Sequence, residues 1–305
     1  MLCQEILFFL IFRPKLVFFL YICLCTRYSP QILRARKVCR SLRTAVDKFG
    51  LRFDCIRLRL WKDKVEIFNT AANGSSSSIV IHNEQTKLID GENFVEKAAK
   101  DFKILSKHAG KIVISNYSGN RCDIVTTFIK IFKAEKCIHV KEIELWFFGF
   151  DEVLTILSWF DAKELKTIKL ICMESMKSID RFERITQLEQ WKNAEVVKID
   201  GSKIASTMIV HFFHFKCFTV DYTDEFPAQA AIQMRDDLLR RSTFQSCDLK
   251  LANSKSNPIE IAKVFKPDYT GGNVFKIEFP NGNDTFDISL WKFNSNHFQL
   301  NVRRL

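Results

Sequence analysis

A chain of 305 residues that is 47% apolar, with 29 phenylalanines against 10 glycines and 6 prolines, has the material for a substantial core and is not a disordered polymer. Its net charge of +11 is concentrated at the front: residues 1–60 hold 12 Lys/Arg against 3 Asp/Glu, and residues 61–305 hold 34 against 32. The long, nearly neutral part has no basic stripe interleaved with aromatics and no Cys/His finger spacing, so nucleic-acid binding is not expected.

In chain order, residues 1–26 form an atypical apolar N-terminus. The run from Ile6 to Cys25 is split by Arg13-Pro14-Lys15, which argues against a simple transmembrane helix. No basic region precedes it and no small-residue cleavage site follows, which argues against a signal peptide. The 10 cysteines are scattered, with Cys23-x-Cys25 the one paired spacing, and several fall within apolar runs such as Ile171-Cys172-Met173. That pattern suits buried free thiols in a reducing compartment, cytoplasmic or nuclear, with membrane association through the apolar front as the alternative.

Residues 27–60 carry a basic amphipathic segment. Ile32, Leu33, Val38, Leu42, Ala45 and Val46 keep rough helical spacing, and Arg34, Arg36, Lys37, Arg40 and Arg43 fill much of the rest. On chemistry alone such a helix can face water, an acidic partner or anionic lipid. The run from Leu33 to Asp47, followed by the alternating Cys55-Ile56-Arg57-Leu58-Arg59-Leu60, resembles the second half of the F-box of the large nematode F-box families. The Leu-Pro opening of an F-box is not found in residues 1–26. The resemblance implies docking onto a Skp-type adaptor through Leu33, Val38, Leu42 and Val46, and through it onto a cullin ubiquitin ligase.

Residues 61–95 read as a connecting region, with Asn73-Gly74-Ser75-Ser76-Ser77-Ser78 as a turn or loop. Beyond it, the pairs Ile112-x-Ile114, Ile143-x-Leu145, Ile168-x-Leu170, Val197-x-Ile199, Phe218-x-Val220 and Leu249-x-Leu251 alternate as strands do. Helical faces lie between them: Ile124, Val125, Phe128, Ile129 and Phe132 form one, and Ile179, Phe182, Ile185, Leu188 and Trp191 another. One strand-helix unit cannot bury both its faces, so neighbours must stack. The fold class expected for residues 96–305 is therefore α/β, a leucine-rich-repeat-like open solenoid of strand-helix units preceded by a small helical module. Period-two segments at 274–279, 286–291 and 298–302, the first two joined by Pro280-Asn281-Gly282-Asn283 in a loop longer than the minimal two residues, are expected to form a C-terminal β cap.

The same region carries a second resemblance. Leu188-Glu189-Gln190-Trp191-Lys192-Asn193-Ala194, leading into the strand Val196-Val197-Lys198-Ile199, is similar to the Gln-Trp-Lys-x-Ala signature of the nematode FTH domain. His211-Phe212-Phe213-His214-Phe215 and Arg235-Asp236-Asp237-Leu238-Leu239 follow in that family's order. The resemblance implies a part in protein recognition.

Chemistry is sparse. His211-x-x-His214-x-x-Cys217 is the compact candidate for a metal cluster, but the surrounding phenylalanines favour packed histidines over ligands, and neither a metal nor a cofactor is expected. Gly271-Gly272-Asn273 has no following helix to make a phosphate loop, and the adjacent carboxylates Asp151-Glu152 and Asp236-Asp237 diverge on a helix. The reading is a non-enzyme: a substrate-recognition adaptor of a Skp-cullin-F-box type ubiquitin ligase with an unidentified protein target. A protein-interaction scaffold without ligase engagement is the alternative. Lys141, Glu142, Glu144, Lys166, Thr167 and Lys169 are candidates to face the target, with the open side of the sheet unassigned.

Overall fold

The computed structural model describes residues 53–71, 76–82, 94–119, 123–132, 137–171, 179–223, 226–252, 256–272, 274–292, 294 and 297–305. The basic segment with Leu33, Val38, Leu42 and Val46 lies outside them. The chain divides into two compact units, residues 1–132 and 133–305.

In the first unit, strands β1 (Phe53–Leu60), β2 (Lys64–Ala71), β3 (Ser76–His82) and β4 (Ala109–Asn116) are ordered β4-β1-β2-β3. β1 is antiparallel to β2 and parallel to β4, and β2 is antiparallel to β3. The alternation in β1 puts Ile56, Leu58 and Leu60 in the core, where Leu58 lies beside Ile67 of β2 and Ile114 of β4. Helix α1 (Phe94–Ser106) buries Phe94, Val95, Ala98, Ala99, Phe102 and Leu105, a stripe at helical spacing. Helix α2 (Asp123–Phe132) buries Ile124, Val125, Phe128 and Phe132, with Ile129 half-buried, so the expected face forms. Phe102 meets Phe128 at 5.8 Å and Phe132 at 5.5 Å between ring centroids. Residues 61–95, read from composition as a connection, contain β2 and β3. Ser76 to Ser78, expected in a loop, are the first residues of β3, because pairing with Thr70, Asn69 and Phe68 outweighs the weak strand preference of serine.

The second unit runs β5 (Glu142–Trp146), α3 (Phe150–Leu157), β6 (Thr167–Ile171), α4 (Ile179–Thr186), α5 (Glu189–Asn193), β7 (Val196–Ile204), a 3₁₀ segment (Ser206–Phe212) and β8 (Cys217–Thr223). It continues with α6 (Ala228–Gln233), extended by a π-turn over Met234–Leu238, then β9 (Ser246–Ala252), α7 (Pro258–Phe265), β10 (Val274–Asn281), β11 (Asp284–Lys292) and β12 (His297–Arg304). Its strand order is β5-β6-β7-β8-β9-β12-β11-β10. Strands β5 to β9 are parallel and adjacent in sequence order, each separated from the next by helical structure. β12 pairs antiparallel with β9, then β11 with β12 and β10 with β11. The expected terminal strands thus extend this mixed α/β sheet, which is open rather than closed into a barrel. Among the described residues no helix is long and apolar enough to cross a membrane.

A repeated main-chain junction sets the register. The carbonyl of Lys141 accepts from the N–H groups of Lys166 and Thr167, that of Lys166 from Glu195 and Val196, that of Glu195 from Lys216 and Cys217, and that of Lys216 from Gln245 and Ser246, all at 2.8–3.2 Å. Gln245 completes the row by accepting from Arg304 at 2.8 Å. These bonds start successive strands level, which aligns Ile143, Ile168, Val197, Phe218 and Cys247 in one buried rung and Leu145, Leu170, Ile199, Val220 and Leu249 in the next.

Against those rungs runs a chain of rings: Phe150 to Phe182 (5.7 Å), Phe182 to Phe212 (6.1 Å), Phe212 to Phe218 (5.8 Å), Phe218 to Phe244 (6.3 Å) and Phe244 to Phe286 (6.1 Å). Six of the 29 phenylalanines form this chain, where helical segments meet the sheet. The β10–β11 hairpin corrects the expected loop: Asn281 pairs with Asp284, leaving a two-residue turn of Gly282 and Asn283. Gly282 takes φ = 65°, a conformation without cost for glycine, and so the tightest connection closes.

Candidate interaction surface

Alternation along a strand that buries one set of side chains must aim the other set at the opposite face. In the second unit that face carries Glu142, Glu144 and Trp146 on β5, Thr167, Lys169 and Ile171 on β6, and Val196, Lys198 and Asp200 on β7, all half-buried. Thr219 on β8, Asp248 and Lys250 on β9, Gln299 and Asn301 on β12, and Ser289 and Trp291 on β11 continue it. Glu142, Glu144, Thr167 and Lys169 therefore lie on the open face, while Lys141 and Lys166 belong to the junctions that precede the strands.

Cross-strand pairing organises this face. Lys169 Nζ lies 2.7 Å from Glu142 and 3.1 Å from Glu144. Burial alone would lower the Lys169 pKa, but hydrogen bonds to both carboxylates outweigh it and hold the ammonium above its ordinary value. Lys250 Nζ donates to Asp221 at 2.7 Å, and Gln299 Nε2 is 2.8 Å from both oxygens of Asp248. Register shifts after Ile199 in the β7–β8 pairing and after Val220 in the β8–β9 pairing take Asp200, which still pairs with Ile171 of β6, and Asp221 out of those two ladders. Burial, with Asp221 adding repulsion, pushes the Asp200 carboxyl above the usual aspartate range, although Lys198 sits 3.2 Å away.

The first unit has a smaller polar cluster at its β1–β2 turn. Trp61 stacks on Tyr117 at 4.5 Å, and Glu66 accepts from Trp61 Nε1 at 3.1 Å and Lys64 Nζ at 2.8 Å. Burial would raise the Glu66 pKa, but these two hydrogen bonds hold the carboxylate below its ordinary value.

Among the described residues no group of three or more His, Cys, Asp or Glu is arranged to hold a metal ion. His214 lies half-buried with its ring 3.9 Å from that of Phe215 and Nε2 3.0 Å from the Trp191 carbonyl, so it serves packing. Burial depresses its pKa below the ordinary 6.5, with backbone hydrogen bonds only partly opposing. A group whose folded pKa is depressed stabilises the fold fully above its unfolded pKa and loses that contribution as pH falls below it. Stability is therefore expected to decline from about pH 6.5 downward, and His214→Gln to flatten that decline in denaturant titrations at a series of pH values. An unchanged slope would remove His214 as the cause.

The cysteines give a second check. Cys247 is 1% exposed in the buried rung, and burial pushes its thiol far above the ordinary range, whereas Cys137 is exposed. A thiol reagent with peptide mapping should label Cys137 in the native protein and Cys247 only after unfolding. Equal labelling rates would contradict the packing described.

Most of the open face escaped sequence reasoning. Asp200, Asp221, Asp248, Gln299, Trp146 and Trp291 are far apart in the chain, and the available signal was only that each alternates with a buried apolar residue.

These features define a class: an open mixed α/β domain with a sheet face of cross-paired polar side chains. Residues 122–268 match the family model of the FTH domain. Over 259 residues, 77% of this chain, the sequence is 25% identical to F-box A protein 224 of Caenorhabditis elegans. The chain spans 64% of the length of that relative. The FTH match spans the run from Leu188 to Ala194.

Proposed function

We propose that this chain is a non-catalytic substrate-recognition adaptor of a Skp-cullin-F-box type ubiquitin ligase, acting in the cytoplasm or nucleus. Leu33, Val38, Leu42 and Val46 dock a Skp-type adaptor, and the strand-helix region, read as a leucine-rich-repeat-like solenoid, presents a protein target. The observation that carries the reading is the joint similarity to an FTH domain and to an F-box A protein in one chain. The open face of β5 to β9 supplies a target surface, with half-buried side chains held by cross-strand pairs and thus pre-organised for binding. Chemistry is left to the ligase; this chain raises the local concentration of target near it.

Co-precipitation with a Skp-type adaptor tests the first half of the reading. The intact chain is expected to recover the adaptor and a Leu33→Ala/Leu42→Ala variant to recover little of it. Failure of the intact chain would leave a scaffold without ligase engagement as the function.

A further inference from the structure

Strand β10 ends the sheet of the second unit, and among the described residues nothing pairs with its outer edge. Edges of this kind template pairing with another strand unless they are blocked. Asn281 and Asp284 close the two-residue turn, and main-chain groups alternate from there along an antiparallel pair. Those of Asn281, Phe279, Ile277 and Phe275 are directed at β11. The outer edge is left with the main-chain groups of Pro280, Glu278, Lys276 and Val274.

We propose that the protein self-associates by antiparallel pairing of β10 with β10 of a second copy, about a two-fold axis at Ile277. In this register Lys276 of each copy lies opposite Glu278 of the other, and both are residues whose main-chain groups face outward. They can therefore exchange main-chain hydrogen bonds as well as form cross-strand ion pairs. Ile277 meets its own counterpart on the helix-covered side, and Phe275 meets Phe279. Val274 meets Pro280 at each end, where the N–H that proline lacks removes a terminal bond and none at the centre. The arrangement is isologous, as a closed dimer requires.

Charge selects a second copy as the occupant. Within the chain, Glu278 is directly opposite Asp287 of β11, a like-charge pairing that destabilises an isolated edge. Lys276 lies 3.5 Å from Asp287, which also has Arg303 of β12 directly opposite it, and is 66% exposed. Lys276 of the second copy places a cation directly opposite Glu278, whereas the neighbour within the sheet is Asp287. Val274, 62% exposed, is the type of apolar residue that such pairing would cover.

Sedimentation analysis of the full chain from about 1 to about 100 µM tests this. The wild type is expected to approach twice the monomer mass as concentration rises. Lys276→Glu places Glu opposite Glu278, and Glu278→Lys places Lys opposite Lys276, so each variant alone should remain monomeric. Mixed together, they should form a heterodimer, because both cross-strand pairs then have opposite signs. Both substitutions are at exposed positions, and an unchanged circular dichroism spectrum with a cooperative thermal transition will confirm that the variants fold. A monomeric wild type, dimerisation of either single variant alone, or failure of the mixture to associate would overturn the proposal. None of these readouts depends on adaptor binding, so the two readings stand or fall separately.

Discussion

Replacing Trp191 with alanine is expected to destabilise the protein by about 3–5 kcal/mol, the range for emptying a large aromatic site in a core. Trp191 is 1% exposed. Its ring meets Phe182 at 5.5 Å, Phe212 at 5.5 Å and Phe215 at 5.1 Å, each edge-on, and its Nε1 donates to the His211 carbonyl at 3.4 Å. Three helical segments thus converge on one side chain: α4 through Phe182, α5 through Trp191 itself, and the 3₁₀ segment with its following turn through Phe212 and Phe215. Removing the indole leaves a cavity that rigid neighbours cannot fill. Trp191→Phe should cost less, since it keeps most of the packing and gives up a long hydrogen bond. Denaturant midpoints for the two variants decide the matter; a loss under about 1 kcal/mol for the alanine variant would mean that the neighbours repack freely.

The second large effect is expected at Arg304, the last residue of β12. The Arg304 side chain is 14% exposed. Its Nε donates to the Phe244 carbonyl at 2.8 Å, one Nη donates to the Arg241 carbonyl, and the other pairs with Asp284. The guanidinium also lies 5.2 Å from the centre of the Phe286 ring. One side chain therefore ties the loop before β9 to the hairpin strand β11. Arg304→Ala is expected to cost about 2–4 kcal/mol, because hydrogen bonds from a charged donor are lost and two carbonyls lose a partner. Arg304→Lys should recover only part of this, since an ammonium on a flexible stem cannot reproduce the fork. Thermal unfolding of both variants measures the difference, and equal melting temperatures for the wild type and the alanine variant would remove the anchoring role.

Legibility followed the range of the interaction. The strands from Ile112 to Leu251 and the faces of α2 and α4 were readable, because period-two and helical alternation report burial within a few residues of sequence. Ser76 to Ser78 were misread because three consecutive serines have no alternation to show, and only their pairing with Phe68, Asn69 and Thr70 makes them part of a strand. The Gly282-Asn283 turn was misjudged by counting Pro280 and Asn281 as loop, although both pair with β11.

By itself the sequence determined that the chain is an α/β protein with a phenylalanine-rich core, and its local motifs pointed to the F-box and FTH families. Only the tertiary structure decided which polar residues share a face, because that depends on register between strands separated by whole helices. The junction carbonyls of Lys141, Lys166, Glu195, Lys216 and Gln245 set that register through main-chain bonds, which any residue type can make. Side-chain identity leaves no trace of such bonds. The pairing of Lys169 with Glu142 and Glu144 follows from them.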